Sequence, residues 1–123
     1  MQMLDTNMVL RYLLNDNKEM ADEAERIVKD GAVLLTTEVI AEVVYVLKGV
    51  YSIERGQIAS CLLEFLSEVN IPEEQVVRLG LETYAEQNLD FVDCILYAYN
   101  RVKGYEVKTF DKKLQKLLGV SNK

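Results

Sequence analysis

At 123 residues, half of them hydrophobic and with a net charge of −6, the chain holds material for one domain, residues 1–123, with a sizeable core and no room for a second. The absence of histidine excludes Ser-His-Asp and Cys-His nucleophilic machinery and imidazole-bound zinc. Met1 to Asn7 has no basic leader and acidic residues break every apolar run well short of membrane-spanning length, so a soluble, cytoplasmic chain with no membrane contact is expected.

Met1-Gln2-Met3-Leu4 reads as a strand that feeds a helix at Asp5-Thr6-Asn7. Leu10, Leu13 and Leu14 share a face of that helix, Asp5 or Thr6 would cap it, and Asn15-Asp16-Asn17 would end it. Lys18 to Lys29 follows as an amphipathic helix. Ala32 to Leu35 has the continuous apolar look of a strand buried on both faces. Thr36 or Thr37 then opens a helix that closes at Gly49.

Ile53 to Val69 carries Ile58, Cys61, Leu62, Phe65, Leu66 and Val69 at helical spacing and is the clearest core helix. Asn70-Ile71 reads as a very short strand. Pro72-Glu73-Glu74 looks like a helix start, although Gly80 inside the helix costs roughly 1 kcal/mol against alanine. Phe91, Cys94, Ile95, Ala98 and Val102 face inward on a helix from Asp90 or Phe91 to Gly104. Tyr105 to Phe110 is the last expected strand, and Lys112 to Leu118 a terminal helix. Strands alternating with helices imply a mainly parallel sheet with helices on both faces. Cys61 and Cys94 fall on apolar faces and read as buried thiols.

Charge is uneven along the chain. Residues 101–123 hold seven cations against Glu106 and Asp111, a balance of +5, which leaves −11 on the first hundred residues. A basic end of this kind gives a polyanion one place to land.

The acids carry the chemical signal. Asp5 follows the first expected strand and Asp111 the last, so both emerge at the carboxyl edge of a parallel sheet, where open α/β sheets place their sites. Asp90 and Asp93 stand three apart at the start of a helix. Each of these four also has an ordinary explanation as a cap or first-turn acid. Glu42 has no such explanation, because it interrupts the apolar run Val39 to Leu47 and shares a face with Glu38, Tyr45 and Val46. Its surroundings are expected to be largely buried, at a cost of several kcal/mol, roughly, for a carboxylate with no partner. The plain alternative is a side chain that snorkels to the helix edge or accepts a few hydrogen bonds.

Two carboxylates ~5 Å apart repel by on the order of 3 kcal/mol at an effective dielectric of 20, so a cluster of four needs a cation. An all-oxygen donor set suits Mg²⁺ or Mn²⁺, ions that make hydroxide from water and stabilise charge on a phosphoryl group. Phosphodiester hydrolysis is the chemistry this set serves best.

Asp5-Thr6-Asn7 before Val9 to Leu14, Glu42 within Val39 to Leu47, Leu89-Asp90-Phe91-Val92-Asp93-Cys94-Ile95-Leu96 and Thr109-Phe110-Asp111-Lys112-Lys113-Leu114 together resemble a PIN domain. Within that family the chain is most similar to VapC-type toxins of prokaryotic toxin-antitoxin pairs. The resemblance implies an endoribonuclease of three-layer α/β/α architecture with a central, mainly parallel sheet, using Mg²⁺ or Mn²⁺. Asp5, Glu42, Asp93 and Asp111 match the family's metal-binding and catalytic acids, Asp90 an auxiliary acid, and Asn7 and Thr109 polar positions beside the site. Of Asp90 and Asp93, the motif match favours Asp93 as the direct ligand. The resemblance further implies a homodimer and a cognate antitoxin that covers the site. Cys94 stands where alanine is commoner. With so acidic a body, the RNA is expected to meet the ion and the basic end, Lys112, Lys113 and Lys116 among its contacts.

Three other readings compete. An aspartyl-phosphate phosphatase needs a second Asp two residues after the first, where this chain has Asn7. A phospho-receiver domain needs an acceptor Asp after a mid-chain strand, which Lys48 to Gly56 does not supply. A PIN-like module kept only for binding would be recognised by lost metal ligands, and none is missing.

Overall fold

A computed structural model describes residues 1–119. The elements run β1 (Gln2–Met3), α1 (Thr6–Leu14), α2 (Lys18–Lys29), β2 (Val33–Leu34), α3 (Thr37–Gly49), α4 (Arg55–Phe65) with a 3₁₀ turn at Leu66–Glu68, α5 (Glu74–Glu86), α6 (Phe91–Lys103) and α7 (Lys112–Leu118). No helix among the described residues is long and apolar enough to cross a membrane.

The helix starts follow from short polar side chains that satisfy free backbone donors. Asp5 accepts the Met8 N–H at 2.9 Å, Asn17 that of Met20 at 3.0 Å, Thr36 that of Val39 at 3.3 Å and Asp111 that of Leu114 at 2.8 Å. Asn15 ends α1 in the left-handed region at φ 52°, a conformation asparagine tolerates better than most residues. The α5 start differs from expectation. Pro72 stays outside the helix, and Glu73 turns the chain at φ 60° while its carboxylate pairs with Lys103 on α6 at 3.3 Å.

The sheet is small. β1 and β2 pair in parallel, Gln2 with Val33 and Met3 with Leu34, and Leu34 makes one further parallel bridge to Asn70. The chain is thus a helix-rich α/β domain whose two strands do not mark out three layers. No strand forms over Tyr105 to Phe110. Burial alternates there as it would in a strand, with Val107 and Thr109 half-buried between exposed neighbours. Two carbonyls are bonded instead by side-chain amides, Tyr105 O by Asn100 Nδ2 at 2.8 Å and Thr109 O by Gln115 Nε2 at 2.7 Å, and no strand among the described residues pairs with this segment.

One core runs through all the helices but α7, with Val9, Leu35, Ile40, Val43, Ile58, Leu62, Phe65, Leu81 and Cys94 at its centre. α7 is fastened by fully buried Leu114. Both cysteines are free, but only Cys94 is buried, because α4 leaves Cys61 half-exposed. Burial pushes the Cys94 thiol up to about 11. It is a packing group.

Gly80 is explained by α6. A Cβ there would lie 2.6 Å from Ile95 Cδ1, so glycine lets α5 and α6 approach closely. Gly80→Ala gains about 1 kcal/mol of helix propensity and loses about 1–3 kcal/mol to overpacking. Because the clash is with the free end of a side chain that can turn aside, the overpacking cost falls near its lower bound and the net change should not exceed about 1 kcal/mol. Shortening the neighbour with Ile95→Val removes the clashing methyl, so urea denaturation of the two single mutants and the double should show favourable coupling.

Candidate active site

The sequence-predicted acids fall into two groups. The first lies where α1 packs against α3. Asp5 emerges from β1 and caps α1, one carboxylate oxygen accepting the Met8 N–H and the rest facing solvent. Thr6, one residue on, donates its hydroxyl to Glu42 Oε1 across the α1–α3 contact. Asn7 is exposed on the same first turn.

Glu42 is exposed, which corrects the expectation of a buried carboxylate. α3 buries Ile40, Val43, Val44 and Leu47, a stripe at the i, i+3, i+4, i+7 spacing. Glu42 lies off that stripe, on a side it shares with Glu38 and with Tyr45, which is 77% exposed. Its apolar neighbours in sequence are therefore turned away from it in space.

The second group gathers at the starts of α6 and α7, which pack on each other. Asp90 holds the cap position of α6 but makes no capping hydrogen bond, so its carboxylate is uncommitted. Asp93, in the first turn, is half-buried. Its carboxyl is pushed above the usual range first by burial, then by the charge of Asp111 and then by that of Asp90. Like charges crowding an acid that is losing water make such a group a candidate functional residue. Asp111 accepts the Leu114 N–H and is otherwise exposed. Beside it the Thr109 hydroxyl accepts the Asp111 N–H at 3.0 Å and so holds that backbone.

α3 packs on α6, which joins the two groups through one series of helices, α1, α3, α6 and α7. Among the described residues, however, no three acidic side chains stand close enough together to hold one ion. The donors fit a hard divalent cation in kind, since all are oxygen and none is imidazole or thiolate. They also fit in charge, since a cation would relieve the crowding at Asp93. Their side-chain positions fit only in part, as separate groups on adjoining helices.

Lys112, Lys113 and Lys116 are exposed along α7 and make no ion pair among the described residues, whereas Lys108 pairs with Glu106 at 3.1 Å. Lys123, part of the basic end, lies outside the described residues. A cleft of about 490 Å³ opens beside Asp90, lined by Tyr45, Lys48, Arg55, Tyr84 and Phe91. A larger cavity of about 650 Å³ lies between α1, α2 and α4, away from these acids.

Two contributors carry no obvious sequence signal. Arg55, at the start of α4, donates through Nε to Tyr84 O at 2.8 Å and through its terminal nitrogen to Leu89 O, with its guanidinium 3.7 Å from the centre of the Tyr84 ring. It fixes the turn that delivers Asp90 and Asp93. Thr6, read from the sequence only as a possible cap, is the partner of Glu42.

The sequence model of the PIN domain family matches residues 3–119 of this chain. Neither the curated proteins nor the solved structures give a match.

Proposed function

The chain belongs to the PIN domain family, whose members are generally metal-dependent nucleases, and from that premise we propose that it is an Mg²⁺- or Mn²⁺-dependent endoribonuclease, the cytoplasmic toxin of a VapC-type toxin-antitoxin pair. The observation that carries this reading is Asp93, half-buried at the meeting of α6 and α7, with its carboxyl raised first by burial and then by the charges of Asp111 and Asp90. A lone structural carboxylate would not be crowded in this way.

In this reading Asp93 and Asp111, with Asp5 and Glu42 from the α1–α3 side, hold the ion, and Asp90 is auxiliary. When bound, the ion supplies activated water and offsets negative charge on the phosphoryl group. Asp111 is kept in place by its bonds to Thr109 and Leu114, and Glu42 by the Thr6 hydroxyl. In hydrolysis the water oxygen bonds to phosphorus, the bond from phosphorus to a ribose oxygen breaks, and the leaving oxygen takes a proton. No protein nucleophile is required. Exposed Tyr45 on α3 and Val92 and Leu96 on α6 supply apolar surface for the homodimer and antitoxin contacts of such a toxin.

The test is Mg²⁺-dependent cleavage of a structured RNA by the wild type and by Asp5→Asn, each first checked for cooperative melting. A folded Asp5→Asn protein with full activity would refute the reading. That no three acids among the described residues gather closely enough for one ion favours one competitor, a PIN-fold module that binds without cutting. Calorimetry with Mn²⁺ separates them, because such a module should show no heat that depends on Asp5.

Two further outcomes follow from the placement of charge. Lys112→Ala with Lys116→Ala should weaken RNA binding and reduce the slope of log K against log salt by about 1.4, at ~0.7 per lost phosphate contact on a single strand. An unchanged slope would take these lysines out of the interface. Glu42→Gln should leave stability within about 0.5 kcal/mol, as for other exposed positions, and lower Mn²⁺ affinity. If the mutant instead unfolds with metal binding intact, Glu42 is a structural residue.

A further inference from the structure

The ring of Phe110 is fully exposed, the only large apolar side chain at 100% among the described residues. A single exposed apolar group is ordinary by itself. What sets this one apart is how it is held and what stands around it. The Asp111 N–H bonds the Thr109 hydroxyl across it at 3.0 Å, Gln115 grips the Thr109 carbonyl at 2.7 Å, and Asp111 caps α7 at 2.8 Å. The backbone is pinned on both sides, so the ring keeps only its own two torsions. It directly precedes Asp111, one of the acids crowding Asp93. Lys112 and Lys113 are within three residues of it and exposed, as is Lys108, which pairs with Glu106.

An aromatic face among cations, next to a carboxylate site, has the composition of a single-strand stacking platform, in which cations track phosphates and the ring takes a base. A duplex already stacks its bases on one another and offers no free face, whereas an unpaired nucleotide does. We propose that Phe110 is a substrate-specificity residue that stacks on an unpaired base next to the phosphodiester to be cut, so that the enzyme selects single-stranded or loop RNA over duplex. The proposal rests on the nuclease reading given above and goes beyond it by naming the side chain that would seat an unpaired base.

The chain contains no tryptophan, so Phe110→Trp places one reporter at the position. In buffer with EDTA, where metal-dependent cleavage is blocked, a 12-nucleotide unpaired oligoribonucleotide should quench its emission and a blunt RNA duplex of equal length should not. By anisotropy, Phe110→Ala and Phe110→Leu should each weaken single-strand binding about 10-fold, in the range of one lost base–aromatic stack. The salt slope should stay as in the wild type, because no charge is lost. Duplex binding should change less than 2-fold. Wild-type affinity in both variants, or equal losses on single strand and duplex, would overturn the proposal while Mg²⁺-dependent cleavage by the wild type left the nuclease reading standing. If sedimentation shows that Phe110→Ala changes the oligomeric state with RNA affinity unaltered, the ring faces a second copy of the chain and the proposal is likewise overturned. A wild type that neither binds nor cuts RNA would overturn both.

Discussion

Asp93→Asn should lower metal-dependent RNA cleavage by more than about 100-fold, beyond the 10–100-fold typical of residues that only support a metal ligand. The same change should raise the melting temperature of the metal-free protein. Burial, Asp111 and Asp90 all push the Asp93 carboxyl above its ordinary value. The folded state then binds this proton more tightly than the unfolded state does, so the contribution to stability is fully present below the ordinary aspartate value. It is lost as pH rises through the raised one. At neutral pH the ionised carboxylate therefore opposes folding, and the neutral amide removes that opposition. Stability of the metal-free wild type should fall with rising pH across this window, and the fall should be smaller in Asp93→Asn. Mn²⁺ at 100 times its dissociation constant should stabilise the wild type by about 2.7 kcal/mol and the mutant far less. Melting curves with and without Mn²⁺, at several pH values, check every part. A mutant that is less stable without metal, yet just as strongly stabilised by Mn²⁺, would show that Asp93 serves the fold.

The fold was most legible where local and long-range preferences agree. α2 and α7 begin and end at the residues their caps and amphipathic faces indicate, and Gly104 closes α6 in the left-handed region at φ 74°. Agreement fails where an element depends on a partner the sequence does not display. Tyr105 to Phe110 alternates like a strand, but Asn100 and Gln115 bond two of its carbonyls. α4 gives way to a 3₁₀ turn at Leu66, although the apolar spacing runs on to Val69. Glu42 shows the same limit within the candidate site. An apolar run in sequence says nothing about which side of a helix one residue takes, and the buried stripe of α3 excludes it. The acids that follow β1 and precede α7 could be identified from their position at segment ends, and their second use as caps was visible as well. What the sequence does not show is the side-chain spacing, which leaves two acidic groups on adjoining helices. Nor does it show Arg55, whose partners are backbone carbonyls and so carry no residue signature.

Arg55→Ala should cost about 3 kcal/mol of stability, the largest loss expected from a side chain outside the apolar core. Hydrogen bonds from a charged donor contribute about 1.5–3 kcal/mol each, and a cation over an aromatic ring about 0.5–2 kcal/mol more. These terms share one side chain and overlap, so the total falls well short of their sum. Arg55 ties the start of α4 to the end of α5 and to Leu89, the residue just before Asp90. Its loss should therefore be felt at the acids as well as in the melting temperature. At low temperature, where the mutant remains folded, Mn²⁺ affinity should fall, because the turn carrying Asp90 and Asp93 is no longer fixed. Arg55→Lys retains the charge but not the planar fork that reaches two carbonyls at once, so it should recover little of either property. If lysine restores both, the charge over Tyr84 matters rather than the fork. If Arg55→Ala lowers the melting temperature while Mn²⁺ affinity stays at the wild-type value, the latch holds the helices together without positioning the acids.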